Sequence, residues 1–231
     1  MLLLCLSDIH GEGAGIAGIL EGCPGVGLVV LAGDLTHLGG AAEAARVVEP
    51  LLAAGMRVVA VPGNMDNPDV LGWLEERGLS LHGRGVTIGG IGFLGLGGSN
   101  PTPFGTPFEI GDPGARSLLD AAWPAVAPAR CRVLVSHAPP HGTRLDRGPA
   151  LLHVGSSVVR AFLESHDVAL CLCGHIHEAG GRQDTVGAAS CVNIGAFKSG
   201  RYALVSVEPD GSLPADGPSR PPRITISWRS R

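Results

Sequence analysis

The chain has 231 residues, a net charge of −4 and 45% hydrophobic side chains, enough to build one large folded unit around a sizeable core. Only 16% of its residues are charged and no long basic stretch occurs. A disordered chain and a nucleic-acid-coating surface are therefore excluded.

Residues 2–6 read as a buried strand that stops at Ser7-Asp8. Residues 14–21 read as a helix weakened by its glycines, and 28–32 as a second strand ending at Gly33-Asp34. An Ala- and Leu-rich helix over 41–54 stops at Gly55, and a third strand over 57–61 ends at Pro62-Gly63-Asn64. A short helix follows over 69–77. Strands that are continuously apolar, alternating with helices, predict a sheet covered by helices on both faces. Residues 86–88 and 91–96 form a hairpin about Gly89-Gly90, 99–112 a proline-rich loop, and 112–123 a helix. Residues 132–135 form a strand ending at Ser136-His137, 156–165 a helix, and 168–173 a strand ending at Gly174-His175. Residues 190–194 and 202–207 read as strands of a second sheet, and 224–228 as a last strand. No linker composition interrupts the chain, so one domain over 1–231 is expected, with 221–231 a tail or a last strand.

The apolar start ends after six residues and lacks a basic segment, and no later run reaches 18 uninterrupted apolar residues. Neither a signal peptide nor a spanning helix is indicated, so a cytoplasmic protein with no membrane partner is expected. The six cysteines show no Cys-x-x-Cys spacing and read as buried free thiols. Cys171 and Cys173 would point the same way on a strand, but no partner pair completes a metal site with them.

Five strand ends carry oxygen or imidazole donors: Asp8-Ile9-His10, Gly33-Asp34, Gly63-Asn64, His137 and Gly174-His175-Ile176-His177. Each alone fits an ordinary turn or cap. Together they fit a single cleft, because ligands of α/β sheets gather at the carboxyl ends of the strands. Mixed oxygen and imidazole donors suit Mn, Fe, Zn or similar divalent ions.

In this order the five blocks resemble the calcineurin-like metallophosphoesterase superfamily, over Asp8 to His177. The resemblance implies an α/β fold, a two-sheet β-sandwich flanked by helices, with a two-metal centre. It assigns Asp8, His10 and His177 to one metal, Asn64, His137 and His175 to the other, and Asp34 to the bridge. Two divalent ions are then expected, Mn first and Fe, Zn or Ni as alternatives, with a bridging hydroxide as nucleophile. The expected activity is phosphoester hydrolysis, of phosphodiesters first, with a phosphomonoesterase or nucleotide pyrophosphatase as the alternative. A non-catalytic metal-binding docking module is the alternative of another class. The partner expected is a small phosphoester, with no stable nucleic-acid partner; oligomeric state is not readable.

Many members of that family carry His after the Gly-Asn pair, where this chain has Met65. It resembles the smaller bacterial and archaeal branch that lacks this His. Met cannot donate a proton, and general-acid help is worth ~10²–10⁴ in rate, so activated or aryl diesters are the expected substrates unless another group substitutes. Asp66, His141 and His37 are the candidates, with His141 taken alongside Asp34 and Asn64 as a catalytic residue. Arg144 and Arg147 read as a solvated pair, with a phosphate fork as the alternative. Ser156 or Ser157 reads as a helix cap, with a helix N-terminus aimed at an anion as the alternative; His82 and His166 read as structural, and Asn193 as a turn residue, with a place behind the metal ligands as the alternative.

Overall fold

The computed structural model describes residues 1–148, 151–208 and 222–230. Strands β1 (Leu2–Leu6), β2 (Val26–Ala32) and β3 (Val58–Val61) pair in parallel, joined by helices α1 (Ile16–Glu21) and α2 (Ala41–Ala53). Helix α3 (Pro68–Glu76) follows β3. The chain then enters a second sheet through the antiparallel hairpin β4 (Gly85–Ile88) and β5 (Ile91–Leu96), with the turn at Gly89-Gly90 as expected. Helix α4 (Asp112–Ala122) leads to β6 (Cys131–Ser136), and helix α5 (Ser157–Ser165) to β7 (Leu170–Cys173). The last strands are β8 (Gln183–Val186), β9 (Ala189–Asn193), β10 (Arg201–Glu208) and β11 (Arg223–Ser230).

The first sheet runs β11-β10-β1-β2-β3 and the second β4-β5-β6-β7-β9-β8. This corrects two sequence-based expectations. Strands over 190–194 and 202–207 do not share a sheet: β9 pairs in parallel with β7, whereas β10 pairs antiparallel with β1. Nor does either sheet carry helices on both faces. Leu3 and Cys5 face the other sheet's Phe93, Val133 and Leu172, while Leu4 and Leu6 lie under α1, α2 and α3. On the second sheet Val133, Val135, Leu170 and Leu172 point inward, and Leu134, Cys171 and Cys173 pack under α4 and α5. Each sheet thus has one helical face and one sheet face, which is the sandwich the resemblance implied. A strand buried on both faces reads as the same apolar run whichever element covers it.

Strand β8 has no counterpart in the sequence reading. Its residues Gln183, Asp184 and Thr185 lack an apolar signal because it is an edge strand held only by β9. The carboxyl ends of β1, β2, β3, β6 and β7 deliver the five donor blocks. Among the described residues no helix is long and apolar enough to cross a membrane.

Candidate metal centre

The turns after β1 and β2 are stitched together by backbone. Asp8 N donates to Gly33 O, Ile9 N and His10 N both donate to Asp34 O, and Gly11 N donates to Leu35 O. That stitching holds Asp8, His10 and Asp34 at positive φ, between 50° and 53°, and His175 sits at 66°. Side chains rarely adopt this region, at a cost of about 1 kcal/mol or more each. Four strained residues at the cluster mark backbone bent to aim side chains. The adjoining glycines permit the crowding: a Cβ on Gly63 would overlap Asp34 Oδ1, and one on Gly174 would overlap Ser7 Oγ.

Asp34 occupies the middle. Its Oδ2 lies 3.7 Å from His10 Nε2, and its Oδ1 lies 3.4 Å from His137 Nε2. His137 Nε2 is also 2.9 Å from Asn64 Oδ1. On the other flank, His177 Nε2 lies 3.2 Å from Asp8 Oδ1. The rings of His10 and His177 are 5.5 Å apart, and those of His137 and His175 are 5.0 Å apart. Donor atoms of Asp8, His10 and His177 gather within 4.8 Å of one another, as do those of Asp8, Asp34 and His137. All seven sequence-predicted ligands therefore converge. The first group matches one assigned set. The second differs from the assigned one: Asp8 joins Asp34 and His137, while His175 approaches through its ring.

The donor chemistry fits a cation. His137 Nδ1 donates to Ala32 O at 2.9 Å, which turns Nε2 toward the oxygens of Asn64 and Asp34. A buried ring nitrogen facing two oxygens needs a proton or a metal cation between them. His10 Nε2 is buried and has no hydrogen-bond partner, although it faces Asp34. Its Nδ1 lies 3.4 Å from His37 Nδ1. Donation from His10 Nδ1 to His37 Nδ1 is the tautomer that would leave Nε2 free to ligate.

Titration follows the same logic. Burial pushes Asp34 up to about 7, with Asp8 and Asp66 adding to the rise and His137 opposing it. Burial pushes His10 down to about 4 and His175 down to about 3, keeping both imidazoles neutral, as metal ligands must be. Burial also opposes charge on His137, yet the Asp34 and Asp8 carboxylates hold its pKa above the ordinary value. The hydrogen bond to Asp8 likewise raises His177. For Asp8 burial works upward, but the contacts of His177 and His137 prevail and hold it well below the carboxylate range. The site attracts positive charge at the places where divalent ions would supply it.

The three candidates to replace the missing His separate clearly. Asp66 is buried and accepts from Leu35 N, Thr36 N, Thr36 Oγ1 and Gly63 N, so both oxygens are committed to bracing the Asp34 and Asn64 turns. His141 is exposed, four residues beyond His137, with its ring 5.8 Å from that of His153. His37 is the one in contact with the cluster, through His10. Met65 still takes part by its backbone, donating N–H to Asp34 Oδ1 at 2.8 Å.

Asn193 is more than a turn residue. It is fully buried, and its amide donates to the carbonyls of Leu145, Gly174 and Ile176, at 3.1, 3.2 and 3.0 Å. It thereby clamps the backbone on both sides of His175. Its position at the end of a strand beside the last donor block was the available signal. Arg144 lies exposed with its backbone N–H on Asp184, Ser156 Oγ caps α5 by accepting from Val159 N, and all six cysteines are free thiols. His82 accepts from Gly97 N, and His166 stacks on Phe162, both structural as expected.

A two-sheet α/β sandwich that gathers carboxylates, an amide and imidazoles at its parallel strand ends defines a class of fold with a cluster of side chains that could hold metal ions. The chain belongs to the calcineurin-like phosphoesterase family, which it matches over residues 1–179. It is 34% identical over 188 residues to the uncharacterised protein MJ1162 of Methanocaldococcus jannaschii, covering 78% of this chain and 81% of that one. In fold it is similar to TT1561 of Thermus thermophilus, with a TM-score of 0.70 and 20% identity over 88% of this chain and 92% of that chain. It is also similar to a putative 5′-nucleotidase of Staphylococcus aureus, with a TM-score of 0.57 and 13% identity over 99% of this chain and 52% of that one.

Proposed function

We propose that this chain is a phosphodiesterase working through two divalent cations, manganese first among them, in a cytoplasmic setting. The observation that carries the reading is Asp34: one carboxylate oxygen faces His10 and the other faces His137. Asp8, His10 and His177 would hold a cation on one side of it, and Asn64, His137 and His175 one on the other. When bound, such a pair acidifies water between the ions and neutralises charge developing on the phosphoryl group.

The chain's own residues do the rest. Asp34 fixes the spacing, and Met65 N holds its Oδ1 in place. Asn193 fixes the direction of the His175 turn. A protein nucleophile is not needed, and the thiols do not offer one: Cys5, Cys131, Cys171 and Cys173 are buried, and burial pushes Cys131 up to about 11. Free buried thiols also suit a reducing compartment. The exposed His37, its Nδ1 3.4 Å from His10 Nδ1, is the group we assign to the leaving group; its contact with the cluster supports that choice.

A docking module has no use for a buried carboxylate split between two histidines, so hydrolysis is the better reading. The test is a panel of bis-nitrophenyl phosphate, nitrophenyl phosphate and alkyl diesters with the manganese-loaded protein. Faster turnover of the aryl diester supports the reading; turnover of the monoester alone would assign a phosphomonoesterase, and none at all a docking module.

A further inference from the structure

Of the 17 basic Lys and Arg residues, Lys198 is the single lysine. The fold brings it to the candidate metal centre. Ala196 bridges to Ser7 in parallel, Phe197 N donates to Ser7 O at 2.9 Å, and Lys198 N lies 3.5 Å from Asp8 O. The fully buried Phe197 ring anchors this short turn, and Gly200 N closes it on Phe197 O at 2.7 Å. The residue is thus held rigidly by its backbone against the strand end that supplies Asp8 and His10, while its side chain stays exposed. Among the described residues its ammonium makes no ion pair with a carboxylate. Its backbone meets Asp8, whose carboxylate lies 3.2 Å from His177 Nε2 and whose turn carries His10, so the lysine stands on that flank of the cluster.

We propose that Lys198 is the substrate-anchoring cation of this site, its ammonium holding a non-bridging oxygen of a phosphoryl group presented on the His10 and His177 flank. The proposal rests on the phosphoesterase reading above. A charge left without a counter-ion at the mouth of the site is available to an incoming anion. The other 16 of the 17 Lys and Arg residues are all arginine. A planar guanidinium suits fixed bidentate pairs, whereas an ammonium on a flexible stem is a compact charge that can follow a tetrahedral group. The sequence held no motif for this residue; only the pairing of the segment after β9 with the end of β1 puts it there.

The test is binding of inorganic phosphate to the manganese-loaded protein by calorimetry, in wild type, Lys198→Met and Lys198→Arg. Lys198→Met should weaken phosphate about tenfold and raise KM for bis-nitrophenyl phosphate more than it lowers kcat, with manganese content unchanged. Lys198→Arg, which keeps the charge, should retain most of the affinity. Because there is only one ε-amine, acetylation of Lys198 can be followed by peptide mass spectrometry, and phosphate should slow it. Equal phosphate affinity in wild type and Lys198→Met, or acetylation indifferent to phosphate, overturns the assignment alone. Loss of manganese from Lys198→Met would make the residue part of the metal framework and also overturns it. A wild type that takes up manganese yet binds no phosphate overturns the phosphoesterase reading, and Lys198 with it.

Discussion

Replacing Asp34 by Asn separates what the residue does for the fold from what it does for the site. Burial lifts the Asp34 carboxyl from its ordinary 3.8 to about 7. At about 1.4 kcal/mol per pH unit, holding it ionised in the metal-free fold costs on the order of 2–4 kcal/mol. The sign follows from proton uptake. Between about pH 4 and pH 7 the folded state keeps a proton on Asp34 that the unfolded chain has lost. The metal-free wild type therefore loses stability through this group as pH rises across that window, and the loss is complete above it. Asn carries no such cost and still accepts from Met65 N. The Asp34→Asn protein should melt at the same temperature as wild type near pH 4 and on the order of 5 °C higher at pH 8, both without metal. With manganese at about a thousand times its Kd the order reverses. The wild type then gains about 4.1 kcal/mol, more than the cost of the ionised carboxylate, whereas the variant, lacking the carboxylate between the two flanks, gains little. Hydrolysis of bis-nitrophenyl phosphate should fall at least ~10²-fold. Calorimetric melts at both pH values, with and without manganese, check every part. A variant that is less stable than metal-free wild type at pH 8, or that responds to manganese as wild type does, would refute the reasoning.

Met65→His should speed alkyl diesters by up to ~10² while leaving nitrophenyl esters nearly unchanged, because only poor leaving groups need the proton; equal acceleration of both, in steady-state kinetics, would count against it. Asn193→Ala strips the amide from the buried carbonyls of Leu145, Gly174 and Ile176, and should cost on the order of 2–3 kcal/mol in a denaturant titration and weaken manganese about tenfold. His37→Ala frees the His10 ring and should weaken manganese by ~10–100-fold, with melting in its absence little changed.

The predicted elements fell where their apolar runs stood: β1 begins and ends as read, and α2, β5 and α5 agree to within a residue or two. Where the sequence failed, the missing information was spatial. The strand β8, polar on an edge, had nothing to distinguish it from loop, and nothing local in residues 202–207 said that they would return to β1 rather than lie beside β9. The donor set was legible because each donor follows a strand end. Roles that depend on neighbours were not. His37 and His141 look alike in the chain, yet one touches His10 and the other is exposed beside His153.

Composition and pattern by themselves determined that this chain buries parallel strands and ends five of them in oxygen or imidazole donors, since hydrophobic runs and turn chemistry act over a few residues. Tertiary structure alone decided that Asp34 stands between His10 and His137, that Asn193 clamps the His175 turn, and that Lys198 lies beside Asp8. Two of those relations, Asp34 with His137 and Lys198 with Asp8, join residues more than a hundred positions apart, and only the pairing of distant strands and the stacking of the two sheets bring such residues within reach.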